Sequence, residues 1–266
     1  MTGSAIERRI GAGEETFLRE LAHPEPRAVL VIAHGFGEHS DYWSDFASWF
    51  RDEFAAAVAA ADFPGHGRSE GERMVYRDFA DLVEVIDLVV EDQRARHPGL
   101  PILLLGHSMG GLAAARYAQA HGEKLDGLVL HAAASIPPEL LALEGLELTL
   151  EQMTPDPALQ RVILEDPFRV EGPPPPATRA AATAAAAASM TAEPLGPLPV
   201  VWLHGQADLL VSPAGARTGF ARLGADRGAL LTYPGVGHGG ILEAGSRQMR
   251  ADLAASLRML LPGLGT

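Results

Sequence analysis

The sequence predicts one α/β domain with a mostly parallel sheet and helices on both of its faces. Short apolar runs alternate with longer helical patterns, which is typical of parallel strands joined by helical crossovers. The chain has 266 residues, enough for one large domain with a buried core, and no Ser- or Gly-rich linker divides it. The runs that suit buried strands are 28–33, 55–61, 102–105, 128–131, 200–204 and 230–233.

Two amphipathic stripes predict helices between these strands. Each has apolar residues at helical spacing, and the longer one carries acidic residues on its opposite side. We interpret both as helix surface that faces the core, and neither indicates a cofactor site. The longer stripe comprises Phe79, Leu82, Val83, Ile86, Val89 and Val90, and the shorter one Trp43, Phe46, Ala47 and Phe50.

The alternation breaks at 135–199. This segment contains "EGPPPP", a stiff extended run, and then "ATRAAATAAAAASM", a strong helix former with Thr178 as the expected N-cap. We therefore expect a core formed by 1–134 and 200–266, with 135–199 inserted as a lid over the site. The alternative is a plain surface helix of low complexity. The leucines expected to line a channel or to hold the lid on the core are Leu140, Leu141, Leu143, Leu146, Leu148 and Leu150.

Composition excludes several classes of function. The formal net charge of −13 argues against a nucleic-acid-binding protein and against attachment to anionic lipid through basic patches. The chain has no cysteine, which excludes disulfides, thiolate catalysis and Cys-ligated zinc. The N-terminus lacks the apolar core of a secretory signal, and no stretch reaches the roughly 20 apolar residues that span a bilayer. We expect a cytoplasmic protein that acts on a neutral or weakly polar substrate.

One serine lies where a strand pattern gives way to a helix pattern. In "LLLGHSMGGLAAARYA" (103–118), Ser108 lies between Gly106 and Gly110. The pattern predicts a strand, a sharp turn and a helix, and larger residues in place of these glycines would collide with the neighbouring strand and helix. Such a turn exposes the serine hydroxyl, so we predict that Ser108 is a nucleophile. The alternative is a small residue that only fits a tight turn.

A serine needs a histidine to take its proton and an acid to orient that histidine. Asp208 follows the predicted strand 200–204, and His238 follows 230–233 on a Gly-rich loop. The carboxyl ends of parallel strands meet at one edge of the sheet, where Ser108 must also lie. Taken singly, Asp208 or His238 would be interpreted as an ordinary loop residue. Together with Ser108 they predict a catalytic triad.

The negative charge that develops during attack requires two backbone N–H donors. We expect one from Met109, which follows the nucleophile. The other is expected from Phe36 in "AVLVIAHGFGEHS", because Gly35 and Gly37 let that loop turn beneath the substrate.

The remaining histidines of the motifs are expected to be structural. His66, between glycines in "ADFPGHGRSEG", is interpreted as a loop stabiliser in preference to a second base. Four further histidines lie at or beside strand ends, where we expect them to be buried and hydrogen-bonded. They are His34, His107, His131 and His204.

Several motifs together resemble a known family. They are "HGFGEHSDYW", "GHGRSEGERMVYRDF", "LLLGHSMGG", "MTPDPALQRVILEDPF", "HGQADLLVSP" and "GVGHGG", spread from about residue 30 to 238. The chain resembles the monoacylglycerol lipases and related lysophospholipase-like serine hydrolases of the α/β-hydrolase fold. The resemblance implies the same triad and oxyanion donors as the residue patterns. It also implies a lid over an apolar acyl channel, and a polar pocket for the alcohol part of the ester.

Two positions depart from the family pattern near that alcohol pocket. Mammalian members carry an arginine and a second histidine where this chain has Tyr42 and Ile241. Glu38 is retained, either to contact substrate or to hold its loop through hydrogen bonds to backbone amides. The resemblance thus makes Glu38, Tyr42 and Ile241 candidate substrate-binding residues, with less selectivity for glycerol.

The sequence therefore predicts a serine carboxylic ester hydrolase that needs no metal or cofactor and forms an acyl-enzyme on Ser108. We expect monoacylglycerols or similar single-chain esters as substrates. The alternatives are a general carboxylesterase, a lysophospholipase, or a hydrolase of another acyl compound such as a lactone or amide. The alternative from a different class is a non-catalytic binding module of the same fold. The expected partner is a small acyl ester or lipid; no nucleic acid and no integral membrane segment is expected, and transient contact with lipid surfaces stays open.

Overall fold

A computed structural model describes residues 5–11, 15–141, 149–170 and 172–264. Within these residues the centre of the fold is an eight-stranded sheet with the spatial order β1-β2-β4-β3-β5-β6-β7-β8. Strands β3 to β8 run parallel to one another, and β1 and β2 are antiparallel additions at one edge. The strands are β1 Ile6–Ile10, β2 Thr16–Leu21, β3 Ala28–Ala33, β4 Ala56–Ala61, β5 Ile102–His107, β6 Gly127–His131, β7 Val200–Gly205 and β8 Gly228–Tyr233.

Helices cover both faces of the sheet. The helices of the described residues are α1 Ser44–Phe54, α2 Ala80–Arg96, α3 Ser108–His121, α4 Leu150–Met153, α5 Pro157–Glu165, α6 Pro176–Thr191, α7 Pro213–Leu223 and α8 Arg247–Leu260. Helices α1 and α8 pack on one face, and α2, α3 and α7 pack on the other. Of the helices in these ranges, none is long and apolar enough to cross a lipid bilayer.

Alternate residues of each parallel strand enter different cores, as expected for a sheet buried on both faces. In β3, Val29 and Val31 face the α2 and α3 side, whereas Leu30 and Ile32 face the α1 and α8 side. The predicted helix stripes are buried in these cores, except for Val83, which is only partly buried. All six predicted strands are present.

The N-terminal hairpin of β1 and β2 was not predicted. Strand β1 has the sequence IERRI and is mostly exposed, so it lacks the apolar run of a buried strand. It is held by Arg8, which bonds both the Glu20 carboxylate (2.7 Å) and Asp92 on α2. A charged edge strand also discourages pairing with other chains.

The connection between β6 and β7 contains α4, α5 and α6, and we call it the cap. Helix α6 begins at Pro176, and its N-cap is Pro175, so the assignment of Thr178 as the N-cap is wrong. Proline fits the first turn because that position needs no N–H donor. The Thr178 hydroxyl instead donates to Met74 O (2.8 Å) and accepts from Tyr76 N (3.2 Å), which ties α6 to the core. Leu143, Leu146 and Leu148 lie outside the described residues.

The two hydrogen bonds of Thr178 predict that two threonines of α6 contribute differently to stability. Thr178→Val should lower the free energy of unfolding by about 1–3 kcal/mol, because it leaves the buried Met74 O and Tyr76 N–H without partners. Thr183→Val is the matched control, since the exposed Thr183 hydroxyl bonds only its own helix at Arg179 O. Urea unfolding of both variants measures the difference. Equal losses would show that the Thr178 tie contributes nothing.

Candidate active site

Ser108 lies at the sharp turn that the sequence predicts between β5 and α3. It is the first residue of α3, and its backbone is in the left-handed region with φ 52°. A Cβ on Gly106 would fall far inside van der Waals contact of Gly110 O and Ala114, and one on Gly110 would meet the carbonyl oxygens of Ala33 and His34. Both glycines are therefore required by close approach of the neighbouring helix and strand.

Asp208 and His238 meet at the carboxyl ends of β7 and β8. The Asp208 Oδ2 atom lies 2.8 Å from His238 Nδ1. Its Oδ1 atom accepts from the N–H groups of Leu210 (2.8 Å) and Val211 (2.9 Å), which fixes the carboxylate plane. Burial by itself would raise the pKa of Asp208, but the facing His238 and these hydrogen bonds outweigh it and lower the pKa below its ordinary value. Asp208 therefore stays ionised and can hold an imidazolium.

Ser108 and His238 line the same cavity. Among the described residues, the Ser108 hydroxyl has no hydrogen-bond partner. Asp208 and His238 are thus bonded to each other, and Ser108 lies in the same cavity as His238 without a bond to it. Contacts between a nucleophile and its base are often long without substrate and shorten when substrate binds.

Phe36 and Met109 line this cavity as well. Met109 N lies in the first turn of α3, where backbone N–H groups have no acceptor within the helix. Phe36 lies in the loop of residues 34–39 after β3, which we call the β3 loop. Within the described part of the chain, the Phe36 N–H donates to no protein group. Both residues with a free backbone donor thus line the cavity that contains Ser108.

Glu38 holds the β3 loop from within. Its Oε2 atom accepts from Gly35 N (2.9 Å) and Trp43 Nε1 (3.2 Å), and its Oε1 atom faces His107 Nε2 at 3.2 Å. The carboxylate is almost fully buried, and it also borders the cavity. Its contacts match the loop-holding role that the sequence left open beside substrate contact.

Tyr42 and Ile241 do not face the cavity that contains Ser108. The Tyr42 hydroxyl donates to Asp166 of the cap (2.9 Å), and its side chain borders a neighbouring cavity. The Ile241 side chain is fully buried in the core on the α1 and α8 side. The interpretation of Ile241 as a substrate contact is therefore wrong for its side chain, because that side chain packs in the apolar core.

The other histidines of the motifs are buried, as predicted. His34 Nδ1 donates to Gly35 O (2.7 Å) while its Nε2 accepts from Phe63 N (2.8 Å), and His66 Nδ1 donates to Pro64 O (3.0 Å). Burial lowers the pKa of His34 to about 3 and that of His66 to about 4. Both rings are neutral near pH 7 and act as structural hydrogen-bonding groups. His204 is held between Val211 O and the Trp202 indole N–H.

The cavity is lined mainly by apolar groups from the cap and the core. Of the described leucines in the predicted channel set, Leu141 reaches this cavity, and Leu150 borders the neighbouring one. Among the cap residues that the structure describes, Arg179 on α6 is the charged one in the lining. The further lining residues are Gly35, Tyr76, His107, Leu112, Ala134, Met153, Pro174, Thr178, Ala182, Leu210 and Val211.

Sequence reasoning missed the bonds between the cap and the loops around the cavity. Met153 O accepts from Gly239 N (2.8 Å), and the Thr154 hydroxyl donates to Glu243 (2.7 Å), beyond His238. Asp166 bonds His39 Nε2 (3.0 Å) at the end of the β3 loop. These three cap residues fall within the motif "MTPDPALQRVILEDPF". Its polar residues within an apolar segment were the sequence feature that could have indicated these bonds.

Fold and comparisons together define the chain as a serine hydrolase of the α/β-hydrolase fold, in the carboxylic ester hydrolase class. It belongs to the Hydrolase_4 family, described as "Serine aminopeptidase, S33", whose model matches residues 24–245. The resemblance to monoacylglycerol lipases is confirmed at this level.

Three relatives show the extent of this similarity. The chain is 30% identical to a monoacylglycerol lipase of Mycolicibacterium smegmatis over 80% of this chain and 82% of that protein. It is 41% identical to the human monoglyceride lipase over 40% of this chain, but the match spans only 34% of the human protein. The crystal structure of a Paleococcus ferrophilus monoacylglycerol lipase superposes with a TM-score of 0.79 at 23% identity, covering 92% of this chain and 99% of that one, which shows the fold.

The turn at Ser108 predicts a stability difference between two glycines. Gly110→Ala should lower the free energy of unfolding by about 1–3 kcal/mol, because the added methyl group forces the helix away from the end of β3. Gly245→Ala is the control, since a Cβ there meets nothing within 4 Å. Thermal unfolding of both variants checks this. An unchanged melting temperature for Gly110→Ala would mean that the close approach is not required.

Proposed function

We propose that the chain hydrolyses single-chain acyl esters, monoacylglycerols in particular, through an acyl-enzyme on Ser108. The observation that carries the proposal is the buried Asp208–His238 pair beside a serine in a left-handed turn. Ser108 and His238 line one cavity whose walls are mainly apolar. The non-catalytic binding module is disfavoured because such a module needs neither the Asp208–His238 hydrogen bond nor the strained serine.

In the proposed reaction, His238 Nε2 takes the proton of Ser108 Oγ as that oxygen attacks the ester carbonyl carbon. Asp208 keeps the His238 proton on Nδ1, so that Nε2 is free to accept. The N–H groups of Phe36 and Met109 stabilise the oxyanion. His238 then returns the proton to the leaving alcohol, and water attacks the acyl-enzyme by the same route to release the acid.

The substrate class rests on the cavity and on the relatives' names. Apolar cap and core residues suit an acyl chain, and the M. smegmatis relative is a monoacylglycerol lipase. A general carboxylesterase remains the second candidate, because Tyr42 is bonded to Asp166 and the Ile241 side chain is buried, so neither offers a polar group to glycerol. We propose that the cap, within 135–199, selects the acyl chain. We also propose that the protein takes up its substrate during transient contact with lipid surfaces.

A fluorophosphonate probe tests the nucleophile. It should attach to Ser108 and leave Ser108→Ala unlabelled, as peptide mapping by mass spectrometry would show. Asp208→Asn should slow labelling on the order of 10³-fold, because the wrong imidazole tautomer is favoured. An adduct on another residue, or no adduct, would refute the proposed function.

A chain-length series tests the acyl site. Each buried methylene contributes about 0.8 kcal/mol, so kcat/KM should rise several-fold per carbon until the cavity is full. Ala182→Leu, which narrows the cavity from α6, should move the optimum to shorter chains, whereas Ala184→Leu on the exposed side of the same helix should not.

The same series tests the head group. Monoacylglycerols and simple alkyl esters of one acid should react within about tenfold of each other, because no polar side chain from positions 42 and 241 selects glycerol. A preference of a hundredfold or more for the monoacylglycerol would contradict this reasoning and point to a glycerol-binding residue in the cap.

A further inference from the structure

Two buried histidines lie next to each other at the floor of the site. His107 ends β5 and His131 ends β6, and the parallel register of these strands sets the two residues opposite each other. Their Nδ1 atoms are 2.9 Å apart, and neither side chain is more than 1% exposed. The His107 ring is also 4.9 Å, centroid to centroid, from that of His238. The reaction outlined above uses neither histidine.

The direction of each hydrogen bond follows from the donors at its ends. The backbone N–H of Ile241 can only donate, and it lies 3.3 Å from His131 Nε2, which must therefore be the unprotonated nitrogen. A neutral ring has one proton, so that of His131 is on Nδ1 and faces His107 Nδ1. His107 Nδ1 also lies 3.1 Å from the His131 carbonyl oxygen, which can only accept, so the contacts of Nδ1 alone do not place the His107 proton. The other nitrogen, Nε2, faces the ionised Glu38 carboxylate, so a neutral His107 carries its proton on Nε2 and accepts at Nδ1 from His131.

From His107 the bonds continue to the β3 loop. The Nε2 proton of His107 faces Glu38 Oε1 at 3.2 Å, and Glu38 Oε2 accepts from Gly35 N at 2.9 Å. Gly35 precedes Phe36, one of the two proposed oxyanion donors. At the other end, Ile241 lies three residues after His238.

We propose that His131 and His107 are positioning residues that join the His238 loop to the β3 loop through one chain of hydrogen bonds. We call this chain the histidine relay: Ile241 N–H, His131, His107 and Glu38. It fixes the separation between the base and the oxyanion donors, so it rests on the proposed function of those groups. Ile241 thus contributes its backbone N–H to the relay, while its side chain lies in the core.

Charge within the relay is controlled by its buried surroundings. Burial lowers the pKa of His131 well below its ordinary value, and the neighbouring rings of His107, His238 and His204 add to this, which keeps His131 neutral. Burial alone would raise the pKa of Glu38, but its bonds to His107 and Gly35 bring that pKa down to about 2. Glu38 is therefore the fixed negative end.

An added proton would break the relay at a defined bond. Burial opposes a charge on His107, but Glu38 outweighs it and, with smaller contributions from the His131 carbonyl oxygen and Asp208, raises the pKa of His107. The added proton goes to His107 Nδ1, where it can donate to the His131 carbonyl oxygen at 3.1 Å. The His131 proton must then move to Nε2, where it meets the Ile241 N–H. The relay is intact above the pKa of His107 and opens as the pH falls through it.

Nitrogen-15 NMR of the full chain with labelled histidine tests the tautomers directly and needs no turnover. At about pH 9, His131 should carry its proton on Nδ1 and His107 on Nε2. On lowering the pH, protonation of His107 should coincide with transfer of the His131 proton to Nε2. A His131 ring protonated on Nε2 at pH 9 overturns the relay.

Kinetics of His107→Gln test positioning. The glutamine amide can still donate to Glu38. It lacks the ring nitrogen that accepts from His131 Nδ1, and it does not titrate. We expect kcat to fall about 10- to 100-fold with KM within about threefold, as for a misplacement of roughly 1 Å. The acid limb of the kcat profile against pH should depend on two protonations in the wild-type enzyme and on one in this variant.

His97→Gln, at the C-terminal end of α2 and outside the site, is the matched control and should leave both parameters unchanged. An unchanged kcat and acid limb in His107→Gln would overturn the proposal, and if that variant does not fold, the wild-type NMR still decides it. Fluorophosphonate labelling separates the two failures: labelled Ser108 with the wrong tautomers refutes the relay alone, whereas an unlabelled Ser108 refutes the proposed function.

Discussion

The left-handed backbone at Ser108 is the constraint on which the rest of the site depends. A non-glycine residue with φ 52° is strained, and it persists only where the surrounding structure holds it. Here β5 enters the turn fully buried and α3 leaves it at once, while Gly106 and Gly110 let helix and strand approach without side chains. Because the strand and helix belong to the centre of the sheet, the strain is balanced by packing over the whole domain.

The cap is hydrogen-bonded to the loops that carry the proposed catalytic residues. Met153 and Thr154 bond the segment that follows His238, Asp166 bonds the end of the β3 loop, and Thr178 bonds the chain near Tyr76. These are direct hydrogen bonds between buried or partly buried groups, so a displacement of the cap must break them or carry the loops with it. The proposed substrate selection by the cap and the proposed catalytic geometry therefore depend on the same contacts.

Two carboxylates buried near the cavity are kept ionised by histidines and backbone N–H groups. Burial opposes ionisation of both Glu38 and Asp208, and in both cases the facing imidazole and the hydrogen bonds prevail, so each folded-state pKa is lowered. Their contribution to stability is thus present above the unfolded pKa of about 4 and is lost as the pH falls through the folded-state values. Asp208, the proposed orienting acid of His238, and Glu38, which holds the β3 loop, are thus kept ionised by the same kinds of contact.

The sequence by itself determined the features that depend on local pattern. The six parallel strands, the turn at Ser108, and the order of Ser108, Asp208 and His238 along the chain follow from apolar runs, glycine spacing and the fact that parallel strands end at one edge. Tertiary structure decided what depends on partners distant in the chain. The exposed β1 hairpin, the use of Thr178 as a tie, and the pairing of His107 with Glu38 and His131 have no local signature, because each is stabilised by residues from another element. Ile241 shows the difference most clearly: its apolar side chain belongs to the core, and only the folded chain sets its N–H against His131.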